Sequence, residues 1–362
     1  MTTELDAQVA IVGCGPVGAT LANLLGRRSV SVIVLEKQQA PYNLPRAIHF
    51  DGEVMRTFQA AGLAEKILPH TMVGRGMLFK TMDGELLIDW SRDQNIGPMG
   101  WHESYRFYQP GVEAALLAGL DRFDHVQLHR GVDVVSVSQT PDAGKLVLAD
   151  GRTITVQYVV GCDGANSLVR QEMGVGEDAL DFEERWLVVD LVLKVPRDDL
   201  GDYSIQFCDP ARPATYVRGV GDWRRWEMRI GEDEPDPMPD EMVWEKLSRW
   251  IGPEEATLER SANYTFRSVV AEQWRNGRLF IAGDAAHQMP PFMGQGMCAG
   301  IRDTINLAWK LDHALKAGSE GILDTHFSER QANVRQFIEL SVNLGRLINQ
   351  SSSGNVPTGK MK

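Results

Sequence analysis

The residues whose types and spacing most clearly indicate chemistry lie in a glycine-rich turn near the N-terminus, Gly13-Cys14-Gly15-Pro16-Val17-Gly18. An apolar run at residues 9–12 precedes this turn, and a helical segment at residues 19–27 follows it. A second apolar run, residues 30–35, ends at the acidic Glu36. This order of strand, turn, helix, strand and acid predicts a βαβ unit that binds a dinucleotide.

Each glycine of this turn has a separate physical task. Gly13 permits the tight turn, Gly15 lets the backbone approach a pyrophosphate, and Gly18 lets the helix pack against the strand. The helix N-terminus then faces the phosphates with unpaired N–H groups and a partial positive charge. Because Glu36 follows the second strand, it is placed to accept hydrogen bonds from the ribose hydroxyls of an adenosine.

Two more apolar runs end in polar residues. Residues 154–160 lead into Gly161-Cys162-Asp163-Gly164, and residues 278–282 lead into Gly283-Asp284, followed by a loop and a helix. In open α/β sheets, ligands bind outside the carboxyl ends of the strands. We therefore expect both strands to belong to the nucleotide-binding sheet and to deliver polar groups to its ligand edge.

The pattern between these motifs is different and predicts a second domain. From residue 186, long β-type runs follow one another with one helical segment near residues 241–250, and residues 76–90 have the pattern of a hairpin. The expected fold class is α/β, with a Rossmann-like domain and an inserted, mostly antiparallel substrate sheet. The predicted bounds are 1–75, 101–180 and 276–350 for the nucleotide-binding domain, 76–100 and 181–275 for the substrate domain, and 351–362 for a flexible tail. A ligand would lie in the cleft between the domains.

Composition excludes several classes of protein. The chain has 362 residues, of which 43% are hydrophobic, and no apolar run reaches the length of a membrane span. Its net charge of −12 opposes non-specific binding to nucleic acid. Four cysteines without metal-ligand spacing predict reduced thiols and no metal site. Because the N-terminus lacks the basic region of a secretory signal, we expect a soluble, cytoplasmic protein with no membrane or nucleic-acid partner.

Taken together, the three motifs resemble those of the single-component FAD-dependent aromatic hydroxylases. The resemblance rests on GCGPVG with Glu36, on GCDGANSLVR at 161–170, and on GRLFIAGDAAHQMPPFMGQGMCAGIRDTINLAWKL at 277–311. The segment Arg106-Phe107-Tyr108-Gln109-Pro110, which enters a helix, adds to it. Within that family, the sequence resembles 3-(3-hydroxyphenyl)propionate hydroxylases and related phenol hydroxylases. The resemblance implies a fold like that of p-hydroxybenzoate hydroxylase.

The resemblance also implies residues that bind the cofactor. It places the ADP part of FAD at the first motif and Glu36, its phosphates and ribitol near Arg46 and Gln109, and the ribitol also at Asp284. The backbone of Gly294–Met297 would face the carbonyl edge of the isoalloxazine ring, and Asp163 is associated with flavin and pyridine nucleotide. The full set is Gly13, Gly15, Pro16, Val17, Gly18, Glu36, Lys37, Arg46, Gln109, Asp163, Gly283, Asp284, Pro291, Gly294, Gly296 and Met297.

The same resemblance implies the reaction. NADH or NADPH, which has no nucleotide fold of its own here, would visit transiently to reduce FAD. Oxygen would then form a flavin hydroperoxide that transfers a hydroxyl group to a phenolic ring. Three catalytic residues are expected: His49 as acceptor of the phenolic proton, Pro291 in a rigid loop, and Arg218 as partner of a substrate carboxylate. A structural role for His49 is equally compatible with the sequence.

Several alternatives stay open at the level of sequence. The substrate could be a carboxylate-bearing phenol such as 3-(3-hydroxyphenyl)propionate, consistent with a role in aromatic catabolism, or a larger polycyclic or polyketide phenol. The chain could also be a non-catalytic flavin-binding subunit, and a homodimer is one possible assembly. Pocket candidates on the inserted sheet include Arg218 and are completed by Gln206, Tyr216, Arg225, Met228 and Arg229, of which alternation admits only some. We expect Arg224-Arg225 to form a solvated edge beside two packed tryptophans.

Overall fold

The computed structural model of the protein describes residues 5–44, 46–209, 211–351 and 359–360. Within these ranges the strands are, in chain order, β1 (Ala7–Val12), β2 (Val32–Glu36), β3 (His49–Asp51), β4 (Thr71–Val73), β5 (Gly76–Lys80), β6 (Leu86–Ser91), β7 (Ser104–Phe107), β8 (Val126–Arg130), β9 (Val134–Gln139), β10 (Gly144–Leu148), β11 (Thr153–Gly161), β12 (Glu177–Leu193), β13 (Ser204–Phe207), β14 (Ala214–Arg218), β15 (Trp223–Arg229), β16 (Ala256–Ala271), β17 (Arg275–Asn276), β18 (Leu279–Ile281), β19 (His287–Gln288) and β20 (Gly359–Lys360).

The helices of the same ranges are α1 (Pro16–Gly26), α2 (Gly52–Ala60), α3 (Ala64–Ile67), α4 (Gln109–Leu120), α5 (Leu168–Glu172), α6 (Asp240–Leu247), α7 (Gly296–Ala317) and α8 (Thr325–Ser351). Short 3-10 turns occur at Leu68–His70, Asp198–Leu200, Gly283–Ala285, Pro291–Met293 and Gly321–Asp324. None of the helices in the described part of the chain is both long and apolar enough to cross a membrane.

The nucleotide-binding sheet is built around a parallel core. Its strand order is β17-β18-β11-β1-β2-β8, and the hairpin strands β9 and β10 attach to it through β11. β1 pairs in parallel with both β2 and β11, and β11 pairs in parallel with β18. The central strands are buried on both faces, as the unbroken apolar run at residues 9–12 predicts. Helix α1 connects β1 to β2 and packs against α4 and α7.

The second large sheet has the order β19-β16-β12-β15-β14-β13-β5-β6-β20. Most of its pairs are antiparallel, while β13 with β5 and β20 with β6 are parallel. Its longest strands, β12 and β16, contain 17 and 16 residues and pair along most of their length. A third sheet of three antiparallel strands, β3-β7-β4, lies beside these two. One face of the second sheet packs against α6 through the apolar cluster that contains Trp226 and Leu247.

The predicted α/β fold class with an inserted, mostly antiparallel sheet is confirmed. Two details differ from the predicted bounds. β12 already begins at Glu177, and β19, from the segment predicted to belong to the nucleotide part, pairs with β16 at the edge of the second sheet. Of the predicted flexible tail, Ser351 ends α8 and Gly359–Lys360 pair with β6, while residues 352–358 and 361–362 lie outside the described residues.

Candidate active site

The glycine turn between β1 and α1 combines two closely packed glycines with one open glycine. Gly13 has a φ of +94°, and a side chain at Gly13 would collide with the carbonyl oxygen of Cys162. A side chain at Gly18 would collide with the carbonyl oxygen of Gly13. Nothing lies within 4 Å of the position that a Cβ of Gly15 would take. The turn therefore leaves open space where the sequence predicts a pyrophosphate.

The groups around this opening suit the nucleotide half of FAD. Helix α1 begins at Pro16 with neither a capping side chain nor an acidic residue in its first turn, so its N–H groups are free to bind an anion. Glu36 at the end of β2 accepts hydrogen bonds from the backbone N–H of Cys14 (2.8 Å) and of Gln38 (2.9 Å). These bonds fix the carboxylate beside the turn. Lys37 is exposed next to it.

The side chain of Val17 contacts the segment that contains the third sequence motif. Its side chain packs under the backbone of Gly283 and Gly300, where an added Cβ would lie 3.0 and 2.7 Å from the Val17 methyl group. The first and third sequence motifs are thus in direct contact. Asp163 lies behind the same turn, and its Oδ2 accepts a hydrogen bond from the N–H of Val169 at 3.2 Å.

Gln109 holds the loop that carries Arg46. Its Oε1 accepts hydrogen bonds from the backbone N–H groups of Arg46 (2.7 Å) and Ala47 (2.6 Å), and its Nε2 donates to Glu113 (2.5 Å). Because both hydrogen bonds to the Gln109 oxygen come from the backbone of the loop, Gln109 fixes the position of the loop. The guanidinium of Arg46 is exposed and lies 5.1 Å from the centre of the Tyr42 ring.

The third motif is anchored by a buried carboxylate that sequence reasoning missed. Asp303 accepts hydrogen bonds from the N–H of Gly283 (3.0 Å), from His287 Nε2 (2.7 Å) and from Arg330 Nε (2.8 Å). Burial alone would raise the pKa of Asp303, but His287 and Arg330 outweigh it and lower the pKa to about 2. This network fixes the turn after β18 and gives His287 a structural role in the loop that follows. Asp284 is exposed on that turn, and no described residue donates a hydrogen bond to it.

The loop before α7 supplies the other side of the cleft. Pro291 begins a 3-10 turn, and Gly294 ends it with a φ of +63°, a left-handed conformation that favours glycine. Gly296 is the first residue of α7, whose N-terminus carries no capping side chain, and Met297 packs on the core. Open N–H groups at a helix N-terminus suit the carbonyl edge of a flavin that gains negative charge.

A cavity of about 110 Å³ lies between this loop, the small sheet and the second large sheet. Residues from all three form its walls: Ile48, His49, Gly76, Met77, Trp90, Arg92, Ser104, Arg106, Gln206, Thr215, Val217, Glu227, Pro291, Phe292, Met293, Gly294 and Gln295. The predicted residues His49, Pro291, Gly294 and Gln206 are therefore brought together, although they are far apart in sequence.

His49 and Arg106 lie side by side on paired positions of β3 and β7. The Nδ1 atom of His49 is 3.3 Å from the carbonyl oxygen of Gly294. Because a carbonyl oxygen only accepts hydrogen bonds, Nδ1 carries the proton. Burial, followed by the positive charge of Arg106, lowers the pKa of His49 to about 4. His49 is therefore neutral near pH 7, and its Nε2 is a hydrogen-bond acceptor.

Arg106 is a buried cation that sequence reasoning did not assign to the site. It is 8% exposed, its Nη2 donates to Ser204 Oγ at 2.8 Å, and burial lowers its pKa to about 10. No carboxylate among the described residues lies within 4 Å of its guanidinium, whereas the buried Arg225 contacts Asp190 at 2.7 Å. Arg106 therefore offers N–H donors to a ligand in the cavity.

The structure moves Arg218 out of the predicted site. Successive residues of a strand face opposite sides of a sheet. Thr215 and Val217 of β14 line the cavity, so Tyr216 and Arg218 face the other side. There Arg218 Nη1 donates to the carbonyl oxygen of Gly221 at 2.9 Å. The expectation that Arg218 contacts the substrate is wrong for this reason, and Met228 shares the apolar cluster behind the sheet with Tyr216.

The Arg224-Arg225 pair is buried, so the prediction of a solvated edge is also wrong. The two residues are 6% and 3% exposed. Arg225 binds Asp190 with two hydrogen bonds of 2.7 and 3.1 Å, and its Nη1 donates to the carbonyl oxygen of Arg46 at 2.6 Å. Arg229 instead bonds Asn349 at 2.9 Å. Glu227 lies on β15 two residues from both Arg225 and Arg229, which are pocket candidates predicted from the sequence. Because side chains two residues apart share a face of a strand, this spacing could have identified Glu227 as a further candidate.

A family model and the relatives of this chain all indicate a flavoprotein family. A model described as the FAD binding domain matches residues 6–341. The chain is 44% identical over 346 residues to a probable NADH-specific resorcinol 4-hydroxylase of Rhodococcus jostii (strain RHA1), covering 94% of this chain and 65% of that protein. It is 38% identical over 361 residues to a 3-(3-hydroxy-phenyl)propionate/3-hydroxycinnamic acid hydroxylase of Mycolicibacterium gilvum (strain PYR-GCK), covering 97% and 62%. The chain thus spans slightly less than two thirds of the length of these relatives.

Solved structures share the fold. The p-nitrophenol 4-monooxygenase of Pseudomonas putida DLL-E4 aligns with a TM-score of 0.86 at 23% identity, covering 94% of this chain and 89% of that one. A ternary complex of aklavinone-11 hydroxylase with FAD and aklavinone aligns with a TM-score of 0.82 at 24% identity, covering 94% and 69%. The resemblance to FAD-dependent aromatic hydroxylases that the three motifs predicted is confirmed. From the glycine turn to α8, this chain belongs to the FAD-binding domain family.

Proposed function

We propose that the chain is an FAD-dependent monooxygenase that uses NADH or NADPH and O2 to hydroxylate a phenolic ring. The observation that carries this proposal is the pairing of neutral His49 with buried Arg106 on one wall of a cavity at the N-terminus of α7. An acceptor beside a cation suits a phenolic hydroxyl group and its ionised form. The names of the relatives, which are resorcinol and hydroxyphenylpropionate hydroxylases, support a phenolic substrate.

The cofactor would be held by the residues that leave room and unfilled hydrogen-bonding groups. The backbone at Gly15 and the carboxylate of Glu36 would bind the ADP part, Asp284 the ribitol, and Gly294–Met297 the carbonyl edge of the ring. Gly13 and Gly18 would act through the shape of the turn. Bound FAD would supply the redox chemistry with NAD(P)H and O2.

The residues of this chain would prepare the phenol. With a pKa of about 4, His49 cannot keep the phenolic proton, but its Nε2 can accept a hydrogen bond from the hydroxyl group. The charge of Arg106 would lower the pKa of the bound phenol, so the O–H bond breaks and the proton leaves to solvent. Ionisation raises the electron density of the ring. The loop at Pro291 forms one wall of the cavity and would shield the ring from bulk water.

The names of the two relatives, which are hydroxylases of resorcinol and of hydroxyphenylpropionate, favour a single ring over a polycyclic phenol. The relative named as NADH-specific supports NADH over NADPH. A role in aromatic catabolism, a cytoplasmic location and a homodimer belong to the same proposal, and light scattering of the FAD-loaded chain tests the homodimer.

The test is the anaerobic rate of flavin reduction by NADH and NADPH, with and without a panel of phenols. We expect one phenol to accelerate reduction strongly and to appear as a hydroxylated product when air is admitted. Reduction at the same rate with every phenol, without hydroxylated product, would contradict the proposal. Bound flavin that neither nucleotide reduces would instead support a non-catalytic flavin-binding subunit.

A further inference from the structure

Glu227 presents to the cavity a carboxylate that accepts no hydrogen bond from any described residue. It lies on β15, its side chain is 15% exposed, and it lines the cavity. The nearest cationic atom in the described part of the chain is Arg225 Nη1 at 3.7 Å, and Arg225 directs its hydrogen bonds to Asp190 and to the backbone of Arg46. Burial raises the pKa of Glu227, while Arg225 opposes this rise.

The neighbouring polar residues on the same sheet face are satisfied within the protein. Thr215, which pairs with Glu227 across β14 and β15, donates to Gln206 Oε1 at 2.7 Å. Gln206 in turn donates to the carbonyl oxygen of Ala214 at 3.1 Å. Of these three side chains, only Glu227 has no hydrogen-bond partner among the described residues. A partly buried carboxylate without donors is costly unless a ligand supplies them.

Arg106 makes the cavity asymmetric. It offers N–H donors beside the His49 acceptor, and its charge acts on Glu227 although no ion pair of 4 Å or less joins the two among the described residues. A ligand between them gains most if one oxygen faces Arg106 and a hydroxyl group on another part of the ring donates to Glu227. A carboxylate at the Glu227 end would be repelled instead.

We propose that Glu227 is a specificity residue that accepts a hydrogen bond from a second hydroxyl group, so that the preferred substrates are neutral diphenols with hydroxyl groups on separate positions of one ring. This inference rests on the proposed function, since it names the substrate class for the same cavity. A second substituent that ends in a carboxylate is disfavoured where it meets Glu227, while Arg92 is a second cation in the cavity wall.

The experiment is a binding cycle on the FAD-loaded 362-residue chain, read by isothermal titration calorimetry. The ligands are resorcinol, 3-methoxyphenol, which lacks the second donor, and 3-(3-hydroxyphenyl)propionate. We expect the unaltered chain to bind resorcinol at least tenfold more tightly than 3-methoxyphenol, because hydrogen bonds to charged groups are strong. Glu227→Met should bring the two dissociation constants to within about threefold of each other, and Glu227→Gln, which keeps an acceptor, should lie between.

Glu259→Met is the matched control, because it removes the same charge from an exposed position of the same sheet. It should leave the ratio of the two dissociation constants unchanged. Equal loss of affinity for both ligands in Glu227→Met and Glu227→Gln would overturn the inference and leave Glu227 a structural role. Tightest binding of 3-(3-hydroxyphenyl)propionate by the unaltered chain would overturn it too.

Failure of the inference and failure of the proposed function give different results. If the chain hydroxylates phenols but the binding ratio does not depend on Glu227, only the inference fails. If no phenol of the panel is hydroxylated, the proposed function fails, whatever the binding cycle shows.

Discussion

The two ends of the cleft are built by different means. At the glycine turn, the shape of the site comes from backbone packing, since Gly13 and Gly18 have no room for a side chain while Gly15 faces open space. At the cavity, the site comes from side chains on strand faces, where Arg106 and Glu227 place opposite charges without a direct ion pair. A backbone-built end should be sensitive to any added atom, and a side-chain-built end to the loss of charge.

The two ends also differ in how selectively they recognise a ligand. Backbone N–H groups and a helix N-terminus bind a phosphate whatever else the ligand carries. Charged side chains in a small cavity respond to the position of single hydroxyl groups. We therefore expect changes at the glycine turn to alter cofactor loading, and changes at the sheet face to alter the choice of substrate.

The largest effect is expected where one side chain supports the backbone-built end. Asp303→Asn removes a fully buried charge that binds Arg330 and His287, and the loss of such a partner costs about 3–5 kcal/mol of unfolding free energy. Urea unfolding of the two proteins measures it. Asp324→Asn, at an acid that is 73% exposed in its pair with Arg275, is the control and should cost less than about 1 kcal/mol. Equal losses in the two variants would contradict the anchoring role of Asp303.

Gly18→Ala tests the backbone packing directly. The new methyl group would meet the carbonyl oxygen of Gly13, and such overpacking costs about 1–3 kcal/mol. We expect a lower unfolding free energy of the FAD-free protein and loss of bound FAD, which absorbance measures. Gly15→Ala is the paired variant, because its methyl group enters open space. It should keep the stability of the FAD-free protein and weaken FAD binding only, and a stability loss equal to that of Gly18→Ala would refute the contrast.

His49 predicts a pH dependence at the side-chain-built end. Its folded-state pKa of about 4 lies below the ordinary value of 6.5. The unfolded chain therefore binds a proton first as the pH falls, and stability is lost between about pH 6.5 and 4. At pH 5 the loss attributable to His49 is about 2 kcal/mol. The difference in unfolding free energy between pH 7 and pH 5, measured by urea unfolding, should be smaller in His49→Gln than in the unaltered protein by this amount. The same pH difference in both proteins would show that His49 is not buried in its neutral form.

The smallest effect is expected for Arg218→Gln, on the face of β14 that points away from the cavity. Dissociation constants for phenols should change less than twofold, and the unfolding free energy by less than about 0.5 kcal/mol. Arg106→Gln is the counterpart that faces the cavity, and it should weaken phenol binding roughly tenfold. Calorimetric titration of both variants compares the two faces. A larger effect from Arg218→Gln would restore the role that the sequence first indicated.

The sequence predicted the backbone-built end well because its information is local. The glycine spacing, the flanking apolar runs and Glu36 lie within 28 residues and have one structural solution. The cavity depends on register between distant strands, which a single sequence does not reveal. Arg218 and Glu227 illustrate this, since a shift of one residue along a strand exchanges the two faces of the sheet. Asp303 was missed because a buried acid inside a helix has no local pattern that marks its partners.

The hydrogen bond from Arg225 to the carbonyl oxygen of Arg46 has a consequence for how the protein opens. It joins a strand of the second sheet to a loop at the nucleotide site, so local opening of either segment breaks this bond. A ligand that orders the loop therefore also favours the state in which this bond is formed. Amide hydrogen exchange in β15 should therefore slow when the nucleotide site is filled.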